Sequence, residues 1–498
     1  MYSYKIACRN YPVPEIKPQE KKYDLCSIIH YFTADMYKIS KISRASTYGS
    51  LTSKNTSPSK KQFIETKARE WLTERLNKLM LGTSCINVKC QSDLRAAKSL
   101  IESGHNNFFW DRVRVLANPY ELIYFTSKRQ PGAPHRIQHV AAIEPLSRSF
   151  FKMIEMSRQL LCDIINAPRP ITCVGLAEGP GGFIEALIWL RSLQSCPSTA
   201  SSHLANQFDK YYGITLIDTD TPDIPSWKRS TDFLRDHPEV NILTGADGTG
   251  NLYSLTNLRY LASRFAVNKV DLVTADGGFD FSSNGVYNCQ EQTASKLILA
   301  EIIGCMAVLG RGGSFVCKFF DLNNKLTADF LYLLQCHFTK LVIFKPKTSR
   351  LANSEKYIIA NGFKGCTPVV FEHLLGLLDR WNQIDTANEL VISQISANWH
   401  IASSKHTDTI FRTINSIFNV GADYVYPSTT PCAAPSSFYS YLNRIITEMN
   451  QLQIANINQT ISIINDQLFY DTDWQEKTRE KQIENARFWC LENGIPFI

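Results

Sequence analysis

A chain of 498 residues exceeds what one ordinary hydrophobic core can hold, so we expect two or three domains. With 44% hydrophobic and 20% charged residues, the composition is typical of a soluble globular protein. The net charge of +7 is a mild excess that permits a polyanionic partner but does not require one. The longest apolar run, residues 297–309, is too short to span a bilayer.

The first residues of the chain lack the apolar core of a signal peptide, and the fourteen cysteines show no metal-ligand spacing. We therefore expect an intracellular, soluble protein with reduced thiols, no metal and no membrane partner. Residues 38–61 are rich in Ser, Thr and Lys, which indicates an exposed linker. Helical spacing resumes in residues 62–80 and 92–102. We assign residues 1–105 to an N-terminal region that contains the linker.

Helix and strand patterns alternate through the centre of the chain. A helix is predicted over residues 145–166, with Lys152 among its apolar positions. Later strands end at Asp218, at a turn that contains Asp247, and at Asp276. Two more strands follow Asp276, and the alternation predicts a parallel sheet covered by helices.

Charged residues stand at the ends of the strands in residues 270–363. Asp276 follows the first strand, Lys318 lies near the end of the second, and Glu355 comes directly before the third. Chemistry in parallel sheets gathers at the carboxyl ends of the strands. We therefore expect half of an active site in this unit.

A glycine-rich loop, EGPGGF, joins the predicted strand at residues 171–177 to a helix. Its glycines permit a tight turn and a close approach of the backbone to a ligand, and the amides at the helix start are expected to face that ligand. An ordinary strand-to-helix turn is the alternative. Asp218 is placed to bind ribose hydroxyls and Asp247 to hold an adenine amino group, which favours a nucleoside-containing cofactor. The predicted cofactor-binding residues are Glu178, Gly179, Pro180, Gly181, Gly182, Phe183, Asp218, Asp247 and Asp276.

The character of the sequence changes after the last predicted strand. Helical spacing covers residues 371–384, 388–396, 438–468 and 478–492, with a Pro/Ser/Thr loop between the second and third of these segments. We predict a catalytic domain over residues 106–365 and an all-helical C-terminal domain over residues 366–498, without assigning the helical domain a function.

Seven segments in order resemble those of a known family. They are ANPYELI, FFKM, GPGGF, GITL, ADGGF, FVCKFFDL and FKPKTSRLANSEKY. Together they resemble the cap-specific mRNA ribose 2′-O-methyltransferases of eukaryotes and large DNA viruses, within the RrmJ/FtsJ-like superfamily, over residues 112–363. The resemblance implies a Rossmann-like methyltransferase sheet with helices on both faces, S-adenosyl-L-methionine as cofactor and capped RNA as substrate.

The same resemblance implies four catalytic residues, a Lys-Asp-Lys-Glu tetrad at Lys152, Asp276, Lys318 and Glu355. The family usually carries an acidic residue in the first strand, where this chain has Gly175; Glu178 is the substitute within the loop.

Lys318 is the proposed general base, and an amine base needs a pKa lowered toward neutrality. Lys152 would orient the ribose hydroxyl, while Asp276 and Glu355 hold the two ammonium groups. Taken singly, each lysine also fits a stem that lies along apolar surface with its amine in water, and Glu355 fits a solvated turn.

A basic segment precedes Glu355. Lys345, Lys347 and Arg350 are predicted to contact RNA phosphates, with ordinary surface charge as the alternative. Aromatic rings are expected to stack on a methylated guanine. Phe279, Phe281 and Tyr287 follow Asp276 closely in the sequence, but no feature of the sequence favours one of them.

The leading hypothesis is thus a methyltransferase that modifies the first transcribed nucleotide of capped mRNA. A ribosomal or transfer RNA 2′-O-methyltransferase is the enzymatic alternative, and a non-catalytic RNA-processing subunit that uses the fold as a binding platform is the other. Expected partners are capped RNA and other capping or transcription proteins. The expected location is the nucleus, or the cytoplasm or virion for a viral protein.

Overall fold

The computed structural model describes residues 2–6, 87–124, 139–194, 208–217, 226–279, 288, 290–397 and 435–498. Its eight strands form one sheet in the order β1-β7-β8-β6-β5-β2-β3-β4. The strands are β1 (Tyr2–Ile6), β2 (Thr172–Leu176), β3 (Lys210–Ile214), β4 (Val240–Leu243), β5 (Val270–Ala275), β6 (Leu309–Phe319), β7 (Phe338–Lys345) and β8 (Lys356–Phe363).

Helices cover both faces of this sheet. In chain order they are α1 (Val88–Glu102), α2 (Gly104–Ala117), α3 (Ser149–Leu160), α4 (Cys162–Ile165), α5 (Gly182–Ser192), α6 (Thr231–Asp236), α7 (Leu255–Arg264), α8 (Gln290–Val308), α9 (Lys325–His337), α10 (Pro368–Ala397), α11 (Ser436–Asn465) and α12 (Thr472–Asn493). One apolar cluster packs α7 to α11 on one face, and a second packs α3, α5 and α12 on the other. The predicted fold class, a Rossmann-like sheet between two helical layers with a helical C-terminal region, is confirmed.

The strands are not all parallel, which corrects the prediction for residues 270–363. Strands β2 to β6 pair in parallel, whereas β8 runs antiparallel to both of its neighbours, β6 and β7. The chain passes from β7 to β8 through ten residues without a helix, and a parallel crossover needs a dozen or more. The last strand therefore returns in the opposite direction.

The amino-terminal residues contribute to the sheet. Tyr2–Ile6 pairs antiparallel with β7, from Tyr2 opposite Lys345 to Ile6 opposite Leu341. The predicted boundary between residues 105 and 106 falls inside α2. The predicted linker at 38–61, the helix at 62–80 and the Pro/Ser/Thr loop before α11 lie outside the described residues. The remaining division into domains stays a prediction.

The C-terminal helices pack against the sheet and against α1 and α2. Helix α10 covers both of the helical segments predicted between residues 371 and 396. Helix α11 packs on α1 and α2 through a small apolar cluster that contains Trp110 and Ile457. Helix α12 carries Trp489 into the core beside α3, and the chain then pairs Phe497 with Ala141.

No described helix is long and apolar enough to cross a membrane. In the same residues, no group of His, Cys, Asp or Glu is arranged to hold a metal ion.

Candidate active site

Four elements bring the predicted tetrad to one edge of the sheet. Asp276 directly follows β5, and Lys318 lies near the carboxyl end of β6. Glu355 directly precedes β8, and because β8 runs antiparallel to β6, the start of β8 lies beside the end of β6. Lys152 reaches the same place from α3. The reversed direction of β8 is what places a strand start and a strand end together.

The tetrad forms two ion pairs. The Lys152 ammonium lies 2.8 Å from Oε2 of Glu355, and the Lys318 ammonium lies 3.3 Å from Oδ1 of Asp276. Lys318 Nζ also donates to the backbone carbonyl of Asp276 at 2.7 Å. All four side chains are mostly buried, with 12% to 16% of each exposed. Both lysines thus have fixed positions with a limited opening to solvent.

Tyr357 connects the two ion pairs, and the sequence analysis did not identify it. Its hydroxyl donates to Oδ1 of Asp276 at 2.8 Å, and Lys152 Nζ lies 3.4 Å from the same hydroxyl. Tyr357 follows Glu355 by two positions, so both side chains point to the same side of the strand. That spacing was the available signal for it.

Charges within the cluster set the protonation of its members. Burial raises the pKa of Glu355, but Lys152, Lys318 and Lys345 outweigh it and hold that pKa at about 2. Burial lowers the pKa of Lys318, yet Asp276, Glu355 and Glu301 outweigh burial and raise it above the ordinary lysine value. The expectation of a lysine pKa lowered toward neutrality is wrong for this state of the protein, because three carboxyl groups surround the ammonium.

The glycine loop turns sharply between β2 and α5. Gly181 has a φ of 103°, a left-handed conformation that favours glycine, and a Cβ atom there would lie 2.8 Å from the Trp227 ring. The Gly181 amide donates to the carbonyl of Glu178 at 2.6 Å, and the Pro180 carbonyl accepts from Ser230. Gly179 directly precedes Pro180, and Gly182 begins α5.

Glu178 points inward from this loop. Its carboxyl group accepts from the amides of Phe183 and Ile184, at 2.9 and 3.3 Å, and from the Thr274 hydroxyl at 3.2 Å. Burial and the nearby Asp276 raise its pKa to about 8. The expectation that the first amides of α5 face a ligand is therefore wrong for Phe183 and Ile184, because Glu178 binds both.

Of the two aspartates predicted to bind ribose and adenine, Asp218 and Asp247, the structure describes only Asp247. Asp218 lies outside the described residues. Asp247 is exposed, and its Oδ1 accepts from the Thr249 amide at 2.9 Å, from the Thr249 hydroxyl at 2.6 Å and from Asn257 Nδ2 at 2.8 Å. These hydrogen bonds lower the pKa of Asp247. They fix the turn after β4, and contact with an adenine stays a prediction.

The residues at the carboxyl ends of β2, β3 and β5 fit a nucleoside-containing methyl donor. The loops after β2 and β5 touch each other, since a Cβ atom on Gly277 would lie 2.9 Å from Cβ of Ala177. Leu216 and Ile217, after β3, expose aliphatic side chains. Closely approaching backbone beside aliphatic surface suits the flat base and the polar ribose of such a ligand.

Residues 145–363 match the FtsJ-like methyltransferase family. This chain carries an FtsJ-like methyltransferase domain. The matched residues include all four members of the tetrad and the glycine loop, and they end with β8.

The relatives are named as cap-specific enzymes. The protein named cap-specific mRNA (nucleoside-2′-O-)-methyltransferase 1 of Dictyostelium discoideum is 29% identical over 51% of this chain and 34% of its own length. The corresponding mouse protein is 27% identical over 55% of this chain and 30% of its own. The protein named methyltransferase 2 of Drosophila melanogaster is 30% identical over 47% and 32%. The chain thus matches about one third of the length of these relatives.

The three basic residues predicted to contact RNA form hydrogen bonds and ion pairs with other groups of the protein. Lys345 is 7% exposed, and its ammonium donates to the carbonyls of Asn353 and Glu355 at 2.8 and 2.7 Å. Burial lowers its pKa well below the ordinary lysine value. Lys345 therefore supports the chain around Glu355, and its assignment to a phosphate-binding surface is wrong.

Lys347 and Arg350 are held by carboxylates within the structure. Arg350 donates to both oxygens of Glu121, at 3.0 and 2.6 Å, and Lys347 Nζ pairs with Glu492 at 2.8 Å. Glu121 is fully buried and also pairs with Arg148. The expected open basic patch is instead a set of ion pairs, because acidic residues distant in sequence reach these cations.

Three aromatic residues were considered for a stacking role, and the structure describes one of them. Phe279 is exposed and lies just beyond Gly278 in the loop after β5. Phe281 and Tyr287 lie outside the described residues. A Cβ atom on Gly278 would lie 2.9 Å from Lys318 Nζ, so this loop passes directly beside the lysine.

Proposed function

We propose that this chain is an S-adenosylmethionine-dependent RNA 2′-O-ribose methyltransferase that acts on the first transcribed nucleotide of capped mRNA. The observation that carries this proposal is the convergence of Lys152, Asp276, Lys318 and Glu355 in one polar cluster within an FtsJ-like domain. The names of the relatives support the choice of capped RNA over uncapped RNA. The proposed location of the protein is the nucleus, or the cytoplasm or virion for a viral protein.

The proposed chemistry divides the four side chains into two working pairs. S-adenosylmethionine, when bound, supplies an electrophilic methyl group on a positively charged sulfur; Gly179 to Gly182, Leu216, Ile217, Asp247 and Asp276 are the residues that would hold it. Lys318 Nζ accepts the proton of the ribose 2′-hydroxyl, and Asp276 keeps that amine in place. Lys152 orients the hydroxyl oxygen, and Glu355 holds Lys152.

Lys318 is protonated in the free protein because nearby carboxyl groups raise its pKa. An additional positive charge beside an ammonium group lowers the pKa of that group. The proposed base therefore becomes available only in the loaded site.

The test compares capped and uncapped RNAs of the same sequence, using labelled methyl groups and identification of the modified nucleoside. We expect 2′-O-methylation of the first nucleotide on capped RNA, far faster than on uncapped RNA. Lys318→Met should abolish transfer, while Lys340→Met, on β7 outside the cluster, should not. Equal rates on both RNAs would favour the ribosomal or transfer RNA alternative. Binding of cofactor and RNA without transfer would favour the non-catalytic platform.

A further inference from the structure

Residues 346–355, which we call the active-site loop, connect β7 to β8 and end at Glu355. The loop is held from both layers of helices. Arg148 donates to the Thr348 carbonyl at 3.2 Å, and Gln453 of α11 donates to the Ala352 carbonyl at 3.1 Å. The position of Glu355 therefore depends on contacts outside its own strand.

Glu155 joins the active-site loop to the helix that carries Lys152. It lies three residues after Lys152 on α3 and is 1% exposed. Its Oε1 accepts from the Lys347 amide at 2.8 Å, and its Oε2 accepts from the Thr348 amide at 3.4 Å. One carboxyl group thus connects the two segments whose side chains form the Lys152–Glu355 pair.

The shortest hydrogen bond to Oε2 of Glu155 comes from the C-terminal helix. Nε1 of Trp489, on α12, donates to it at 3.2 Å, and the indole is fully buried against α3. Burial raises the pKa of Glu155, and the amides and the indole oppose that rise. A buried carboxyl group that loses one of few donors becomes costly to keep in place.

We propose that Trp489 is a positioning residue for the Lys152–Glu355 ion pair and acts through Glu155. Trp489 lies well beyond residue 363, where the match to the FtsJ-like family ends. Without the indole N–H, Oε2 keeps only the 3.4 Å contacts from Thr348, so the start of the active-site loop loosens against α3. The 2.8 Å pair between Lys152 and Glu355 then loses its fixed geometry.

Two further contacts tie the C-terminal helices to the same loop. Lys347 Nζ pairs with Glu492 on α12, one helical turn from Trp489, and Gln453 on α11 binds Ala352. Helices α11 and α12 thereby hold opposite halves of the active-site loop. The C-terminal region, to which the sequence analysis assigned no function, is thus part of the support of the catalytic cluster.

The test is Trp489→Phe, which keeps an aromatic ring and removes the hydrogen bond. Because this inference rests on the proposed methyl transfer, two measurements are needed. The first is kcat, which should fall by about 10- to 100-fold with little change in KM for RNA, since small displacements of reacting groups reduce turnover strongly. The second is hydrogen exchange of residues 346–355, which should become faster in the variant.

Trp381→Phe is the matched control, because Trp381 is also buried but lies on α10, in the apolar cluster on the other face of the sheet, which contains no residue of the active-site loop. We expect a comparable loss of thermal stability, unchanged kcat and unchanged exchange in the active-site loop. Adding Trp489→Phe to Glu155→Gln should lower kcat less than it does in the parent, because both changes break one connection.

Unchanged kcat and unchanged loop exchange in Trp489→Phe would overturn the inference, as would equal losses of kcat in both tryptophan variants. A parent protein that transfers no methyl group would contradict the proposed function. The exchange measurement would still decide whether Trp489 holds the loop.

Discussion

The side chain of Glu178 occupies the volume that a side chain at residue 175 would fill. A Cβ atom on Gly175 would lie 2.7 Å from Cγ and 2.8 Å from Cβ of Glu178. Gly175 stands where the resemblance leads one to expect an acidic residue in the first strand. Glu178 therefore brings a carboxyl group back to that strand from within the glycine loop, although the group binds the start of α5.

This relationship predicts that Gly175→Ala destabilises the fold. The added methyl group must displace Glu178, whose carboxyl group is buried and bound to two amides, so we expect a loss of about 1 to 3 kcal/mol in the free energy of unfolding. Urea denaturation measures it. The loss should be much smaller in a Glu178→Gly background, which removes both the Cγ and the Cβ atom that the added methyl group would meet. Gly376→Ala, at a helical position with nothing within 4 Å, should cost nothing.

A second prediction concerns the amine of Lys318. Lys318→Met keeps the stem volume and removes the amine, so turnover should fall by a factor on the order of a hundred to ten thousand, with cofactor affinity little changed. Lys318→Arg should not restore activity, because a guanidinium stays protonated. Near-parental turnover of the arginine variant would reduce Lys318 to a positioning cation.

The raised pKa of Lys318 also predicts the pH dependence of the parent enzyme. The value of kcat/KM for the methyl donor reports groups of the free enzyme. It should therefore keep rising with pH through the neutral range and reach no plateau below the ordinary lysine pKa. The profile of kcat, which reports the loaded site, should reach its plateau at lower pH. A neutral plateau in kcat/KM would contradict the assignment of Lys318 as the base.

A third prediction addresses the link between the two ion pairs. Tyr357→Phe removes the hydroxyl that donates to Asp276 and touches Lys152, so kcat should fall on the order of tenfold to a hundredfold while KM changes little. The matched control is Tyr211→Phe, which removes a hydroxyl bound to Asp209, a residue outside the cluster. Equal effects of the two changes would show that Tyr357 has only a structural role.

A fourth prediction concerns stability and pH. Burial is the main cause that raises the pKa of Glu178 and of Glu301 to about 8, and that of Glu291 to about 7. In the unfolded chain a glutamate titrates near pH 4.3, roughly the model-peptide value. Between these values the folded state holds protons that the unfolded state releases. The free energy of unfolding should therefore decrease as pH rises from about 5 to about 7.

Glu301→Gln tests this by removing one titrating group while keeping its shape. The slope of unfolding free energy against pH should become shallower, by at most about 1.4 kcal/mol per pH unit. Glu480→Gln, at an exposed position on α12, should leave the slope unchanged. Parallel slopes for the parent and Glu301→Gln would mean that Glu301 is ionised in the folded protein.

Much of the fold could be predicted from local sequence patterns. Alternating strand and helix spacing and the charged residues at strand ends were enough to bring Asp276 and Lys318 to one edge, whereas Glu355 was placed with them only by the family resemblance. The direction of β8 was missed, because apolar periodicity is the same for both directions of a strand. The ten-residue connection from β7, too short for a parallel crossover, was the signal that could have revealed it.

The partners of buried charges were the part that the sequence could not provide. Arg350 and Glu121 are 229 residues apart, and the spacing around either residue gives no sign of the other. The sequence analysis predicted Arg350 to be an exposed cation, because its segment is basic. Trp489 and Glu155, 334 residues apart, pose the same problem: only the folded chain shows that they share a hydrogen bond.

The hydrogen bond between Trp489 and Glu155 also bears on the order in which the protein matures. A polypeptide synthesised as far as residue 363 already contains the FtsJ-like domain and all four tetrad residues. It still lacks the indole N–H that donates to Glu155 and the glutamine that holds Ala352. A nascent chain can therefore adopt the sheet before it acquires a rigid catalytic cluster.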